Sequence, residues 1–304
     1  MATVLVTGGT GMIGRALTKA LQQKGYEVIV LSRSAKPRGN NGILYAQWNL
    51  QQQTIDEAAV QSADYIVHLA GANVGEGRWT DKRKKEIVAS RVQSGQLLVK
   101  ALQTIPNKVS AVISMSAIGW YGPDAQVPHP KPFVETDRPD NSFLGTTCQQ
   151  WEGSINPVAQ LSKRLVILRA GIVLSKEGGA YKEFKKPLQF GVAGIMGTGR
   201  QVVSWIHIDD MVRLIIYAME NKIVSGIYNA VSPHPVSNKQ LVTAMGKAKG
   251  FYLPMPVPAF TLKIALGEMS VEVLKSATVS AEKIMATGFT FQYPTIEQAV
   301  QQLK

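Results

Sequence analysis

The stretch that decides the fold is 3-TVLVTGGTGMIGRAL-17. A short apolar run is followed by a glycine-rich turn and then by apolar residues at helical spacing, a pattern typical of a strand, a turn and a helix. Glycines at positions 8, 11 and 14 suit a dinucleotide pyrophosphate. They permit a tight turn, a close approach of backbone to phosphate, and close packing of helix on strand. The sequence therefore predicts a dinucleotide-binding turn, formed by Gly8, Thr10, Gly11, Met12, Ile13 and Gly14.

The sequence that follows the turn favours this interpretation over an ordinary glycine-rich loop. Small and apolar residues repeat at helical spacing from Ala16 to Leu21, and Gly25 is placed to end the helix. Residues 26–31 are then typical of a second parallel strand. The order of strand, turn, helix and strand is the context that a glycine motif needs before it indicates a cofactor.

The end of the second strand indicates which dinucleotide is bound. An NAD-binding protein carries a carboxylate there for the ribose 2′-hydroxyl, whereas an arginine accommodates a 2′-phosphate. This chain has 31-LSRS-34, without a carboxylate. Arg33 can form paired hydrogen bonds to a phosphate and Ser32 can add a hydroxyl donor. We therefore predict that Ser32 and Arg33 select NADP(H); the alternative is that Arg33 is a solvated loop cation.

The composition limits the classes of protein and site. With 304 residues, 45% hydrophobic and 18% charged, the chain is typical of a globular protein with one large domain. Its single cysteine, Cys148, excludes an internal disulfide and a cysteine-built zinc site, and the four histidines lack metal-ligand spacing. The N-terminal residues predict a strand rather than a secretory signal, and no apolar run approaches membrane-spanning length. We expect a cytoplasmic protein with no metal and no membrane partner.

The net charge of +12, from 33 basic and 21 acidic residues, raises the question of a nucleic-acid partner. Most of the basic residues are dispersed along the chain. The one dense run, residues 82–85, lacks the interleaved aromatic residues of a single-strand binding face. We therefore expect no nucleic-acid partner, and we interpret the run as a solvated helix start that also attracts anionic ligands.

Strand-like and helical segments alternate along the chain, which predicts an α/β fold with a Rossmann-type, doubly wound parallel sheet. The predicted strands are 3–6, 27–31, 44–48, 64–69, 111–114 and 165–168. We expect residues 1–174 to form the dinucleotide-binding domain, with its sheet completed by parts of 200–232. Residues 175–304 are then expected to form mainly a small C-terminal substrate lobe.

Two of the predicted strands end in residues that suit the adenosine part of a dinucleotide, because ligands bind at the carboxyl edge of such a sheet. The strand 64–69 runs into small residues, so the backbone of Leu69, Ala70 and Gly71 can lie against adenine and ribose. Asn49 follows the third strand and is placed to bind the adenine amino group.

Other polar residues are assigned structural roles. His68 lies within an apolar run, so we predict that it is a packed core residue. The motif 204-SWIHIDD-210 precedes a predicted helix that runs through Met219. Asp209 and Asp210 suit a helix N-cap and first turn, where carboxylates complement the helix dipole. A catalytic carboxylate pair is the alternative, although adjacent residues on a helix do not share a face.

Together these motifs resemble the extended short-chain dehydrogenase/reductase superfamily, and within it the atypical branch of epimerase-family, or nucleoside-diphosphate-sugar epimerase-like, proteins. The resemblance rests on the glycine turn, 68-HLAG-71, 114-SMS-116, 120-WYG-122 and the SWIHIDD motif. It continues in the family-specific C-terminal extension, from 253-LPMPVP-258 through 266-LGEM-269 to 288-GFTFQYP-294. The resemblance implies that Glu86, Arg91 and Val173 contact the cofactor.

The wider superfamily uses a serine with a Tyr-x-x-x-Lys pair, in which the lysine lowers the pKa of the tyrosine. The resemblance places the serine at Ser116, or less well at Ser114, but it puts Cys148 and Glu152 at the tyrosine and lysine positions. A glutamate raises the pKa of a neighbouring thiol, so the usual proton relay cannot operate. A literal match at 181-YKEFK-185 falls in the predicted substrate lobe, and we interpret it as a chance match.

The catalytic candidates are therefore Ser116, Tyr121 and Cys148. Tyr121 is either a proton donor or a residue that packs around the cofactor. Cys148 is either an inert buried thiol or an acid–base partner of Glu152.

The resemblance implies an NADP(H)-dependent oxidoreductase or epimerase-like enzyme, acting on a small hydroxyl- or carbonyl-bearing or sugar-nucleotide-like substrate. The alternative is an NADP(H)-binding sensor or regulatory protein without turnover. In either case we expect a monomer or a homodimer.

Overall fold

A computed structural model describes residues 1–34, 42–127 and 129–304. Its strands are β1 (Thr3–Thr7), β2 (Glu27–Ser32), β3 (Leu44–Asn49), β4 (Thr54–Ile55), β5 (Tyr65–His68), β6 (Ala111–Ala117), β7 (Arg164–Ala170), β8 (Ile172–Leu174), β9 (Val192–Met196), β10 (Val202–Val203), β11 (Trp205–His207), β12 (Gly226–Ala230), β13 (Val236–Ser237) and β14 (Leu253–Val257). Its α-helices are α1 (Met12–Gln23), α2 (Glu57–Ser62), α3 (Asp81–Thr104), α4 (Phe143–Ile155), α5 (Gly179–Gln189), α6 (Ile208–Glu220), α7 (Asn238–Lys249), α8 (Ala259–Leu266), α9 (Ser270–Leu274), α10 (Glu282–Met285) and α11 (Ile296–Gln302).

Eight strands form the central sheet, in the order β12-β7-β6-β5-β1-β2-β3-β4. Neighbouring strands are parallel except β4, which is antiparallel to β3. Each of the six predicted strands lies in this sheet, and the predicted α/β, doubly wound fold class is confirmed. The strand order reverses beside β1, so the carboxyl ends of β1, β2 and β5 meet at the switch point where such sheets bind ligands.

Helices cover both faces of the sheet, as a parallel sheet requires. Side chains alternate along β1, so that Val4 and Val6 pack in one layer with α1 and α6, while Leu5 packs in the other with α2 and α3. All three of these β1 side chains are fully buried. Burial of this kind stabilises by roughly 1.5–3 kcal/mol for each large aliphatic side chain, so the sheet is a rigid support for the turn that follows β1.

The smaller lobe is built on the parallel pair of β9 and β14. Helices α5, α7 and α11 pack with it around a third apolar cluster, which includes Tyr181, Trp205, Leu241 and Val300. Between parts of this lobe the chain returns to the main sheet, where β12 pairs with β7. No helix within residues 1–34, 42–127 and 129–304 is long and apolar enough to cross a membrane.

Helix α6 is capped by a residue that the sequence prediction did not select. His207 occupies the N-cap position, and its ring Nδ1 accepts a hydrogen bond from the Asp209 backbone N–H at 3.1 Å. Asp209 and Asp210 lie in the first turn, as expected, but the cap is the imidazole rather than Asp209. An imidazole nitrogen can replace the usual side-chain oxygen here because it also accepts a hydrogen bond.

Buried carboxylates attach the C-terminal segment to the rest of the fold. Asp210 is fully buried and accepts the backbone N–H groups of residues 292 and 293 at 2.7 and 2.8 Å, while Arg213 donates to it at 2.7 Å. Asp124 accepts the Thr278 backbone N–H at 2.8 Å. Such charge-assisted hydrogen bonds are about twice as strong as neutral ones. The contacts of Asp210 thus account for its burial without a catalytic carboxylate pair.

Candidate functional site

The glycine turn after β1 is shaped by close backbone contacts. Gly8 has a φ of +68°, and a Cβ placed on it would lie 2.8 Å from the carbonyl oxygen of Leu69. A Cβ on Gly14 would lie 2.3 Å from the carbonyl oxygen of Gly8, whereas one on Gly11 would have 3.3 Å. Gly8 and Gly14 therefore tolerate no side chain. Gly9, which the predicted set omits, is also closely packed, since its Cβ would lie 2.7 Å from a methyl group of Val30.

The N-terminus of α1 presents free donors at the carboxyl edge of the sheet. Gly11 is the N-cap and supplies no side-chain hydrogen bond, and the first turn contains no acidic residue. Helices α5, α8, α9 and α10 also lack a side-chain cap, whereas side chains cap α2, α3, α4, α6 and α7, through Asp56, Thr80, Ser142, His207 and Ser237. The first N–H groups of an uncapped helix bind anions well, because their partial positive charge is unsatisfied. Met12 and Ile13 carry such groups, and the Thr10 carbonyl accepts a hydrogen bond from Arg15 Nη1 at 2.8 Å.

Thr7 and His68 fix the end of β5 against this turn. The Thr7 hydroxyl oxygen accepts the backbone N–H groups of Leu69 and Ala70, both at 3.1 Å, and lies 2.7 Å from His68 Nδ1. Its own proton is then donated to Nδ1, which leaves Nε2–H to face Ser94 Oγ at 3.3 Å. His68 is fully buried, which confirms it as a packed core residue, and burial lowers its pKa to about 4.

The residues predicted to bind the adenosine end of the dinucleotide differ in how many of their polar atoms are already used within the protein. Ser32 is half-buried and Arg33 is exposed, and the Arg33 guanidinium forms no ion pair with a described residue. Asn49 is less suitable than predicted for binding the adenine amino group. Its Oδ1 already accepts the backbone N–H groups of Gln51 and Gln52, at 3.0 and 3.1 Å, which leaves only the amide N–H donors.

Arg91 is a buried cation without a carboxylate partner among the described residues. It is 8% exposed, Nη1 donates to the Ile87 carbonyl at 3.0 Å, and the guanidinium lies over the Trp151 ring, 4.9 Å from its centroid. It also lies directly behind Gly71, whose Cβ would be 3.1 Å from Arg91 Cζ. Burial lowers the pKa of Arg91 to about 10. A buried charge is expensive unless it is paired, so this guanidinium is well placed for an anionic ligand.

Two further residues were predicted from the family resemblance to contact the cofactor. Glu86 carries an exposed side chain that forms an ion pair with Arg83 at 2.7 Å, and its contact with the cofactor stays a prediction. Val173 is half-buried in β8, which is paired with β11. Next to it, Gly178 and Gly179 lie against Met12, with Cβ positions 3.5 and 3.4 Å from the methionine side chain. The predicted Met12 and Val173 are thus brought to the same edge of the sheet.

Ser116 belongs to a buried polar network at the end of β6. Its hydroxyl donates to Glu152 Oε1 at 2.7 Å. Arg169 Nε and Nη2 donate to the two oxygens of the same carboxylate at 2.8 and 3.0 Å. Burial opposes the charge on Arg169, but Glu152 prevails and raises the pKa of this arginine. Ser116, Glu152 and Arg169 are each at least 97% buried, so the carboxylate and the guanidinium neutralise each other inside the protein.

Tyr121 belongs to the same network and does not suit its predicted role as a proton donor to substrate. The side chain is fully buried, its hydroxyl donates to Asn229 Oδ1 at 2.6 Å, and Arg169 Nη1 donates to it at 3.1 Å. Burial raises the pKa of Tyr121 to about 12. A phenol that is enclosed and hydrogen-bonded on both sides is poorly placed to exchange a proton with a substrate, and the alternative, packing around the cofactor, stays a prediction.

The surroundings of Cys148 favour an inert buried thiol over an acid–base partner of Glu152. The thiol is 3% exposed and donates a weak hydrogen bond to the Ala117 carbonyl at 3.6 Å. Burial, reinforced by Glu152, raises its pKa to about 11. A thiol in this state is neither a ready nucleophile nor a ready proton donor. Tyr181, from the literal YKEFK match, is buried and donates to the Leu303 carbonyl, far along the chain from Ser116.

Sequence reasoning missed the role of Arg169. The structure makes it the counter-ion of Glu152. A signal was present, because 164-RLVILRA-170 places an arginine inside a buried strand, and a buried guanidinium needs a carboxylate. No group of three or more metal-binding side chains occurs in the part of the chain that the structure describes.

Comparison with known proteins tests the family resemblance. The NAD dependent epimerase/dehydratase family matches residues 4–145, and a domain of unknown function matches residues 257–303. Epimerase family protein YfhF of Bacillus subtilis is 35% identical over 99% of this chain and 97% of its own length.

Comparison with solved structures indicates the same family. The human epimerase family protein SDR39U1, determined with NADPH, has a TM-score of 0.88 and 29% identity over 99% of this chain and 98% of that one. UDP-N-acetylglucosamine 4-epimerase from Bacillus cereus has a TM-score of 0.77 at 19% identity, covering 100% of this chain and 98% of that one. This last similarity indicates the shared fold. The NAD(P)-binding, Rossmann-type architecture and the predicted family are confirmed.

The pKa of His68 makes stability depend on pH. Because it is lowered to about 4 in the folded state, the unfolded chain binds a proton below about pH 6.5 that the folded chain excludes. The contribution of neutral His68 to the free energy of unfolding is complete above pH 6.5. As the pH falls towards 4, this contribution decreases by about 3 kcal/mol. His68→Gln is expected to remove this part of the pH dependence, measured as the free energy of unfolding in urea between pH 7 and pH 4.

The control for this measurement is His234→Gln, which alters an exposed histidine. Burial also lowers the pKa of His207, so only the difference between the slopes of variant and wild type is attributed to His68. Equal slopes for His68→Gln and the wild type would show that His68 is not neutral in the folded protein.

Proposed function

This chain belongs to the epimerase family, and we propose that it is an NADP(H)-dependent oxidoreductase or epimerase-like enzyme. Its substrate is a small hydroxyl- or carbonyl-bearing molecule, with sugar-nucleotide-like compounds included in that class. The observation that carries the cofactor assignment is the buried, unpaired guanidinium of Arg91 beside Gly71. The NADPH in the structure of the human relative supports the choice of cofactor.

The described residues fit a phosphorylated dinucleotide. The backbone at Gly8 and Gly14 leaves room for no side chain, and the N-terminus of α1 supplies uncapped N–H groups for a pyrophosphate. Arg33 is exposed at the end of β2, where an arginine accommodates the 2′-phosphate of NADP(H). Arg91 would supply a further positive charge at the end of β5. These four features meet at the switch point of the sheet.

The protein would contribute binding and proton handling. A bound nicotinamide supplies or accepts the hydride, which is the cofactor's own chemistry. Ser116 donates its proton to Glu152, so its oxygen lone pairs remain to accept a proton from a substrate hydroxyl. When an alcohol is oxidised, the substrate proton moves to Ser116 Oγ while the original Ser116 proton moves to Glu152. When a carbonyl is reduced, the same two protons move in reverse, from protonated Glu152 to Ser116 Oγ and from Ser116 Oγ to the substrate oxygen. The proposed role of Ser116 is therefore proton transfer, in place of the tyrosine that the family pattern would use.

A second function is a cofactor-binding sensor without turnover. The observation that favours it is the burial of all three catalytic candidates, with Ser116, Tyr121 and Cys148 each 3% exposed or less. Tyr121 and Cys148 are in addition held by internal partners. A protein of this kind would bind NADP(H) through the same residues and transfer no hydride.

Replacement of Arg91 by methionine tests the cofactor site. Met retains a long apolar stem against Trp151 but removes the charge. We expect the Kd for NADPH to rise at least tenfold, because a charge-assisted hydrogen bond contributes about 1.5–3 kcal/mol. The protein without cofactor is expected to become more stable, since an uncompensated buried charge is lost. Calorimetric titration and thermal unfolding measure the two effects.

Arg169→Met is the matched control, because Arg169 is also buried but is paired with Glu152. Removing one partner of a buried pair destabilises by about 3–5 kcal/mol, so this variant should unfold at a lower temperature than the wild type. If Arg91→Met destabilises the free protein as much as Arg169→Met does, or leaves NADPH affinity unchanged, the assignment of Arg91 is wrong.

Arg33→Ala tests the choice between the two dinucleotides. Loss of the guanidinium should weaken NADPH binding by roughly 10- to 100-fold, and it should leave NADH affinity within about twofold, because NADH has no 2′-phosphate for Arg33 to bind. Titration of both nucleotides against wild type and variant gives the comparison. Equal weakening of NADPH and NADH would exclude recognition of the 2′-phosphate by Arg33.

Turnover separates the enzyme from the sensor. Purified protein is incubated with NADPH and a panel of carbonyl compounds and sugar nucleotides, and the absorbance of the reduced nicotinamide is followed. The enzyme proposal predicts turnover with at least one compound, and a fall in kcat of about 100-fold or more in Ser116→Ala, with NADPH affinity retained. Tight NADPH binding without turnover across the panel would support the sensor.

A further inference from the structure

The C-terminal ends of α5 and α7 meet at one edge of the small lobe. Lys249 Nζ donates to the carbonyl of Leu188, in the last turn of α5, and to that of Gln189 at 3.0 Å. The Leu253 backbone N–H then donates to the Gly191 carbonyl at 2.7 Å. Residues 185–192 and 247–255 thereby form one surface, which we call the basic tip.

Two phenylalanine side chains project from the basic tip. Phe190 is 86% exposed and Phe251 is 79% exposed. The two residues lie in adjoining segments, because Gly191, which follows Phe190 in the chain, lies against the Phe251 ring: a Cβ on Gly191 would be 3.5 Å from it. The exposed Leu253 and Met255 continue the apolar surface along β14. Singly exposed apolar residues are ordinary, but a contiguous group of this size marks an interaction surface.

Lysines outnumber acidic residues at the basic tip. It contains four lysines and no acidic residue, and Glu183 lies beside it in α5. Glu183 is paired with Lys186 at 2.6 Å. Lys247 is exposed, lines a groove together with Glu297 of α11, and forms no ion pair with a described residue. Aromatic side chains with a surrounding excess of lysine suit an anionic surface that is apolar beneath its charged layer.

We propose that the basic tip docks on an anionic lipid bilayer. Phe190 and Phe251 insert at the level of the headgroups, and the lysines lie against the anionic headgroups. Side chains with this degree of exposure project from the protein and enter a soft interface readily, whereas a protein partner would need a matching cavity. Strand addition at β14 is opposed by Pro254 and Pro256, which lack a backbone N–H.

This docking is independent of the cofactor site and requires no membrane-spanning segment. The sequence expectation of no membrane partner rested on the absence of an apolar run of spanning length, which does not bear on a peripheral surface. The basic tip is assembled from segments about 60 residues apart, as the contact between Lys249 and Gln189 shows, so its charge looks dispersed in the linear sequence. Docking at this edge would hold the protein beside the bilayer while leaving β1 and its turn unchanged.

Vesicle co-sedimentation tests the proposal on the full-length protein. The probes are phosphatidylcholine vesicles with and without about 30% phosphatidylserine, at low and high salt. The wild type should bind only the vesicles that contain phosphatidylserine, and less at high salt. The double variant Phe190→Ser, Phe251→Ser should bind at least tenfold more weakly. Lys186→Gln with Lys247→Gln should weaken binding in the same direction.

Ile223→Ser is the control, because Ile223 is 71% exposed in the turn before β12, outside the basic tip, and its removal should leave vesicle binding unchanged. Thermal unfolding and NADPH titration of each variant show whether the fold is intact. Equal binding to both vesicle types, no binding to either, or unchanged binding by the phenylalanine variant would overturn the proposal. Sedimentation of the wild type without vesicles, abolished by the same variant, would assign the tip to protein–protein contact instead.

Discussion

The geometry of the switch point, where the carboxyl ends of β1, β2 and β5 meet, depends on the absence of a side chain at Gly14. The α1 backbone at that position approaches the Gly8 carbonyl so closely that a Cβ would lie 2.3 Å from the oxygen. This contact sets the position of α1 on the glycine turn. The turn itself lies against the carbonyl of Leu69. Thr7 holds β5 in the same place through two backbone N–H groups. The uncapped end of α1 and the guanidinium of Arg91 are thereby brought to one edge of the sheet, where their charges act together.

Two buried arginines differ in how their positive charge is compensated. Arg169 is enclosed with Glu152, and its charge is neutralised by two hydrogen bonds to one carboxylate. Arg91 is almost as buried, yet its contacts are a backbone carbonyl and the face of Trp151. A buried ion pair can be satisfied in the free protein, whereas an unpaired buried cation is satisfied only when an anion binds. Evolution commonly retains such local instability where a ligand relieves it.

Six strands of the central sheet and the glycine turn could be predicted from the sequence, because the patterns that indicate them are local. Apolar runs gave the six strands, and the spacing of Gly8 and Gly14 gave the turn. The polar contacts could not be predicted in this way, since Ser116 and Glu152 are separated by 36 residues, and their contact depends on how α4 packs on β6. Asn49 shows a different limit, because only coordinates reveal that Oδ1 is already used by the backbone of Gln51 and Gln52. The cap of α6 required the same information, as His207 is a less common cap than aspartate.

We propose that the switch-point edge of the sheet is a site for a 2′-phosphorylated dinucleotide. The most direct test of this proposal is calorimetric titration of the wild-type protein, without variants, by NADPH and by NADH under the same conditions. We expect NADPH to bind at a single site at least tenfold more tightly than NADH, because only NADPH carries the 2′-phosphate proposed to bind Arg33. Equal affinity for the two nucleotides, or no binding of either, would contradict it.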